Sequence, residues 1–390
     1  MKCFHLRNRY WMISIAILFV GILGFWMVFV NTKTVRIGFA AQLTGRQAEL
    51  GVQIRNGVQL AVEEVNRSGG IGGRKLELLV RDDFGIPEKA HSADRELIKA
   101  GVVSIIGHAT SAQTLAGLTV TNPARVVMMG PTVSTSKLSN IDDYFFRVYP
   151  SFKESAAAFA KYIYQNGLTR MAIIYDLDNY AYVRAYSEAF STRFQALGGD
   201  IAAILKFSSA THPDFSPLLL KLQRSGCNGL LIIASDVDTA LIAQQTRLTS
   251  LQIPLFTTAW AQTEILINNG GNAVEGLTLE QSFLVENQSP KFLEFVSRYS
   301  KRFGRKPSFG AAFGYDAALV LAAALVKTGG NTKGLRQSLL KTHDFQGLTD
   351  TFSFNRYGDV DRPFYLSSIR NSKFIILKKL TVNKLGIEGK

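Results

Sequence analysis

The sequence predicts an α/β protein of two lobes, each a parallel sheet with helices on both faces, behind one N-terminal membrane helix. Three observations carry this prediction. Short apolar runs alternate with helical periods along the chain, the alternation begins afresh near residue 150, and residues Trp11 to Val30 hold no charge.

The first series opens with a strand-like run at Val35–Ala40. From Val52 the apolar positions Val58, Ala61, Val62 and Val65 follow helical spacing, and Ser68-Gly69-Gly70 stops that helix. Strands at Leu76–Val80, Val102–Gly107 and Val126–Gly130 follow, with a helix at Ala90–Ala100. The second series reads helix Ser155–Asn166, strand Met171–Tyr175 and helix Tyr182–Leu197, closed by Gly198-Gly199. Strand Ile201–Phe207, helix Phe215–Arg224 and strand Gly229–Ala234 continue it. Repeated βα units place the strands side by side in parallel and cover them with helices. Ligands of such sheets sit at the carboxyl ends of the strands.

The twenty residues from Trp11 to Val30 match a hydrocarbon core of roughly 30 Å at about 1.5 Å rise per residue. Lys2, Arg7 and Arg9 precede them, which places the short N-terminus (1–10) in the cytoplasm and the rest outside. The competing reading is a cleavable signal peptide. An apolar stretch ending in Phe29-Val30, with no small-residue cleavage site and no cysteine for lipid attachment, favours an uncleaved anchor at 11–30. This makes the chain a single-pass protein of the inner membrane, with its folded part in the periplasm or outside the cell.

The chain has 390 residues, 47% of them hydrophobic, enough for two cores. Its formal charge of +14 is spread along the sequence, with mild density at 301–306 and 378–384. Scattered charge fits a solvated surface or anionic lipid headgroups; a nucleic-acid binder gathers its charge on one face. The two cysteines, Cys3 and Cys227, lie on opposite sides of the apolar segment and form no disulfide framework.

Catalysis finds no support. Gly69-Gly70-Ile71-Gly72-Gly73-Arg74-Lys75 ends in lysine but runs from a helix into a strand, whereas a phosphate loop runs from strand to helix. It reads as a tight turn. Asp82-Asp83 at a strand end read as caps of the next turn rather than metal ligands. His108 and Ser111 stand three apart in a loop, with nothing to complete a nucleophile set, so that loop reads as hydroxyls that bind something. No metal or cofactor is called for.

An ordered series of motifs then builds up. Gln42-Leu43-Thr44-Gly45, Gly51, Asn56-Gly57, Val65-Asn66-x-x-Gly69-Gly70-Ile71-x-Gly73-Arg74 and Asp82-Asp83 come first. Ile105-Ile106-Gly107, Ser111, Pro131–Ser134 with Leu138, Phe146-Arg147 and Pro150-Ser151 follow. Gly270-Gly271, Ala273-Val274-Glu275-Gly276, Tyr315-Asp316-Ala317 and Phe354-Asn355-x-x-Gly358-Asp359 complete it. From Val35 to Lys379 the chain resembles the type I periplasmic binding proteins of the leucine/isoleucine/valine-binding group, the receptors of branched-chain amino acid ABC importers.

The resemblance implies two Rossmann-like lobes joined by three crossings. Lobe one takes 35–150 and 281–348, lobe two 151–280 and 349–380, and 381–390 is a tail. It implies a receptor that closes on an amino acid or related small carboxylate and delivers it to an ABC permease and its ATPase. The alternative is a ligand-sensing subunit of a signalling complex. The ligand's carboxylate falls to Ser111, Thr132 and Ser134, and a covering ring to Tyr180. Neutral hydroxyl and N–H donors solvate a carboxylate without a buried counter-charge. Two departures concern specificity. Trp260 stands where the family places an acid for the ligand's ammonium, leaving Asp236 to supply that carboxylate, and Phe84 and Thr110 stand where model receptors carry a disulfide.

Overall fold

A computed structural model describes residues 34–380, apart from His212, Ser250 and Val285. The proposed membrane segment at 11–30 and the tail at 381–390 lie outside the described residues.

Two sheets, each with its own helices, make the two lobes. The first is fully parallel and runs β2-β1-β3-β4-β5: β1 (Val35–Ala41), β2 (Leu76–Asp82), β3 (Ser104–Gly107), β4 (Val127–Gly130) and β5 (Phe145–Arg147). Every residue of β3 and β4 is buried, as strands covered on both faces require. Helices α1 (Ala48–Arg67), α2 (Pro87–Lys99) and α3 (Ser111–Thr121) connect these strands. Pro87 opens α2, where its missing N–H costs nothing. Between α1 and β2 the glycine run makes the tight turn, with Gly69, Gly70, Gly72 and Gly73 all at positive φ.

The second sheet has the order β14-β13-β10-β9-β8-β6-β7. Its parallel part is β6 (Arg170–Asp176), β7 (Asp200–Phe207), β8 (Gly229–Ile233), β9 (Leu255–Thr258) and β10 (Thr278–Gln281). At one edge β13 (Phe364–Arg370) and β14 (Lys373–Leu380) add antiparallel strands, so this sheet is mixed. Helices α4 (Lys153–Gln165), α5 (Tyr180–Ala196), α6 (Ser216–Arg224), α7 (Asp236–Leu248) and α8 (Glu264–Gly270) flank it. An aromatic cluster fills one side: Phe152 meets Tyr182 edge-on at 5.3 Å, and Phe159 meets Phe190 at 6.5 Å.

The chain then returns to the first lobe as α9 (Pro290–Phe303), α10 (Phe309–Lys327) and α11 (Leu335–Leu340). Ser289 caps α9 by accepting the Phe292 N–H, and Gly304 closes it in the left-handed conformation. Helix α10 is long and apolar enough to cross a membrane, yet it lies buried in the first core. It packs against α1 so closely that a Cβ on Gly57 would stand 2.0 Å from the Ala311 carbonyl oxygen. A short hairpin, β11 (Phe345–Gln346) and β12 (Thr351–Phe352), follows, and Phe352, Phe354 and Val360 all join the first core. The first body thus runs on past residue 348.

The three passages between lobes are near 150, through 282–289 and near 360. The last is pinned by buried charge. Arg362 pairs with Asp316 at 3.1 Å and Asp350 at 2.7 Å beneath the Phe352 ring, and Arg147 meets Asp359 at 2.7 Å. Unpaired, any of these charges would be costly at such depth.

Candidate functional site

The carboxyl ends of both sheets face one another, and the cleft between them takes its walls from the residues just beyond the strands. Ala109, Thr110 and Ser111 follow β3, Thr132 and Ser134 follow β4, Asn179 and Tyr182 follow β6, and Trp260 follows β9. Parallel sheets of this kind offer their loops at one edge, which is why ligand positions gather there. The lobes stand closed. The free space between these walls is about 30 Å³, so a ligand enters only as they part.

Four of the six residues singled out from sequence meet here: Ser111, Thr132, Ser134 and Trp260. Ser111, read from sequence as part of a loop, is the first residue of α3, so it stands at a helix end whose first N–H groups have no partner within the helix. The Ser111 and Ser134 side chains are buried with no intramolecular partner for either hydroxyl among the described residues. Thr132 differs. Its hydroxyl donates to the Ala109 carbonyl at 2.7 Å, leaving the backbone N–H as the donor it can offer.

The other two lie elsewhere. Tyr180 opens α5 and is 42% exposed on the outer surface; Asn179 and Tyr182 beside it are the ones that face the cleft. Asp236 opens α7, where its carboxylate accepts from the Thr263 hydroxyl at 2.6 Å and the Val237 N–H at 2.8 Å. Burial pushes it up to about 6, against those two hydrogen bonds, and it does not line the cleft.

The acid of this cleft is Glu280, on β10, which sequence reasoning missed. It is 2% exposed. The Tyr186 hydroxyl donates to one carboxylate oxygen at 3.1 Å, while the other oxygen has no partner among the described residues. The neighbouring Ser155 hydroxyl is already given to the Phe152 carbonyl at 2.9 Å. Burial pushes Glu280 up to about 7, and the hydrogen bonds hold it no higher. Around it the walls are aromatic: Tyr149, Phe152, Tyr182, Trp260, Phe309 and Phe364. Trp260 meets the Tyr182 ring edge-on at 6.0 Å. No sequence signal marks a lone acid inside a four-residue strand.

Beneath the Ser111 loop lies a buried charge cluster. His108 Nδ1 is 2.6 Å from Asp83 and Nε2 is 3.1 Å from Asp94. Burial alone would lower the imidazole, but the two carboxylates outweigh it and raise it to about 10. Doubly held, His108 fixes the start of the loop that presents Ser111. Asp82 next door accepts the Leu43 and Phe84 N–H groups, which is turn capping.

At the mouth of the cleft the lobes touch directly. Arg46, between β1 and α1, pairs with Asp238 of α7, and Gln47 donates to Asp176 of β6 at 2.7 Å. The Thr135 hydroxyl donates to the Ala181 carbonyl at 3.0 Å.

The family described as periplasmic binding protein matches residues 34–373. A leucine-, isoleucine-, valine-, threonine- and alanine-binding protein of Pseudomonas aeruginosa is 22% identical over 87% of this chain and 91% of its own length. A leucine-binding protein of Thermotoga maritima superposes with a TM-score of 0.82, at 26% identity, over 89% of this chain and 99% of that one. A solute-binding protein of an ABC transporter from Rhodopseudomonas palustris, solved with 3,4-dihydroxybenzoic acid, gives 0.81 at 24% identity over 91% and 98%. The chain belongs to the periplasmic binding protein family and is a solute-binding protein and not an enzyme.

Proposed function

We propose that this chain is a membrane-anchored, extracytoplasmic receptor that captures an amino acid in the interlobe cleft and delivers it to an ABC permease and its ATPase. One observation carries the reading: the two unpaired hydroxyls of Ser111 and Ser134 stand on the first lobe, and the unpaired carboxylate oxygen of Glu280 stands on the second. A zwitterion meets both. Its carboxylate takes the hydroxyls and the α3 end, and its ammonium takes Glu280, which stands in for the acid absent at Trp260. The aromatic walls favour an apolar or aromatic side chain. The uncharged stretch 11–30 supplies the anchor.

The same walls favour a second ligand class, an aromatic carboxylate whose phenolic hydroxyls donate to Glu280. The fold itself hosts leucine in one relative and a dihydroxybenzoate in another, so the cleft residues must decide.

A thermal-shift panel of the amino acids and hydroxybenzoates on the purified chain tests both. We expect an amino-acid hit whose affinity falls at least roughly a hundredfold in Ser111→Ala with Ser134→Ala, since each hydrogen bond to a charged group contributes about 1.5–3 kcal/mol. A double variant that binds as before removes these hydroxyls from the site. A hydroxybenzoate hit without any amino-acid hit selects the second class.

A further inference from the structure

The cleft uses the carboxyl ends of the strands, and the amino end of the first sheet has a different chemistry. β1 starts there at Val35, whose N–H donates to the Lys75 carbonyl at 2.8 Å. The Thr332 hydroxyl donates to the Val103 carbonyl at 3.2 Å, and Arg74 reaches the Gly329 carbonyl, so the turn after α10 lies at the same edge. Helices α1 and α2 finish beside it because each runs back against the strands. Helix α10 runs the same way as α1, with Gly310 beside Leu50 and Tyr315 bonded to Glu64 at 2.6 Å. Six basic residues gather here. Arg67, Lys99 and Lys327 end the three helices, and Arg74, Lys75 and Lys333 stand in the adjoining turns. All but the half-buried Arg74 are exposed, and none pairs with an acid among the described residues. The acids close by are taken: Glu77 by Arg36 at 2.9 Å, Glu63 by Arg302 at 3.2 Å, and Glu64 by Arg298. Bases in a last turn suit the helix dipole, which accounts for three of the six but not for those in the turns.

The uncharged stretch 11–30 ends four residues before Thr34, a reach of at most about 14 Å. On the anchored reading above, on which this inference rests, the bilayer surface comes within that distance of the start of β1. From this we propose that the amino end of the first lobe is a lipid-docking face whose six bases take anionic headgroups. Each base gains from the negative potential of such a surface, and the gain fades as salt screens it. β1 is seven residues long, about 20 Å. The ligand cleft therefore opens roughly that far above the headgroups. The second lobe stands beyond it and swings on a first lobe held at the membrane.

Lysine acetylation read by mass spectrometry tests this on the full chain in lipid nanodiscs, of phosphatidylcholine alone or mixed with phosphatidylglycerol. We expect Lys75, Lys99, Lys327 and Lys333 to label at least roughly threefold more slowly in the anionic discs, and the difference to vanish in high salt. Lys206 and Lys221 of the second lobe should label alike in both. Lys75→Glu with Lys333→Glu, both at exposed positions, should return Lys99 and Lys327 to their rates in neutral discs, with thermal melting to confirm the fold. Equal labelling in the two discs overturns the proposal, as does protection that persists in the folded double variant. Alkaline carbonate extraction of vesicles carrying the chain tests the anchor separately. A chain that is stripped off removes the anchor and this face together, whereas a retained chain with equally labelled lysines sinks this inference alone.

Discussion

Glu280 joins residue chemistry to ligand choice. Held near 7 by burial, it is largely protonated at pH 6 and largely ionised at pH 8. An ammonium ligand needs the ionised form, so its affinity should rise roughly tenfold between pH 6 and 8 and level off above, while Glu280→Gln binds weakly at every pH. Calorimetric dissociation constants at three pH values check this; a flat profile in the native chain sinks the pairing. The stability of the empty protein moves the other way. The folded value lies above the unfolded one near 4.5, so this contribution is whole below 4.5 and is lost as pH rises through about 7. Asp176 and Asp236, both raised to about 6 chiefly by burial, act in the same sense at slightly lower pH. Residue-level legibility followed the backbone. Ser111, Thr132 and Ser134 come together at the cleft because each follows a strand end, an order visible in the sequence. Tyr180 was misplaced because the start of α5 turns it outward and brings Asn179 and Tyr182 inward. Asp236 went astray because Thr263 and the α7 end already use its carboxylate.

Among the elements, α1 and α10 cross with their backbones close together in the first core. Gly57 faces the backbone of Ala311, so Gly57→Ala must push two helices apart and should cost about 1–3 kcal/mol. Urea unfolding would show it as a lower midpoint; an unchanged midpoint would mean the helices are not so near. The βα alternation of the first two hundred residues was legible, with helix starts a few residues out: α1 begins at Ala48 and not Val52, and α2 at Pro87 and not Ala90. The three-residue β5 and the helix α3 were not, since the first is too short for periodicity and the second spreads small and hydroxyl residues around its surface. The antiparallel β13 and β14 escaped because their pattern breaks the parallel rule that served for the rest.

For the molecule as a whole, closure draws on polar side chains that reach from one lobe to the other. Arg46 and Gln47 of the first lobe grip Asp176 and Asp238 of the second beside the cleft. Arg46→Ala with Gln47→Ala should speed ligand release several-fold while barely changing association, since the contact forms after encounter. Stopped-flow release rates would decide; an unchanged off-rate would show that the grip does not hold the lobes. Two lobes were legible from the restart of the βα series. How the last quarter of the chain divides between them was less so, because Phe352 and Phe354 belong to the first core and β13 to the second sheet.

The late return of α9 and α10 to the first lobe also orders events in time. When residue 281 has left the ribosome or the membrane, the second lobe lacks only two edge strands, but the first lacks the helix that lies along α1 and covers its sheet. At that point the lobe whose sequence comes first has the larger part of its core still to come, and it is filled only when α10 and the stretch to Val360 follow. Until then its apolar α1 face stays open, and a chaperone in the exporting compartment would find its substrate there, on a half-built N-terminal domain.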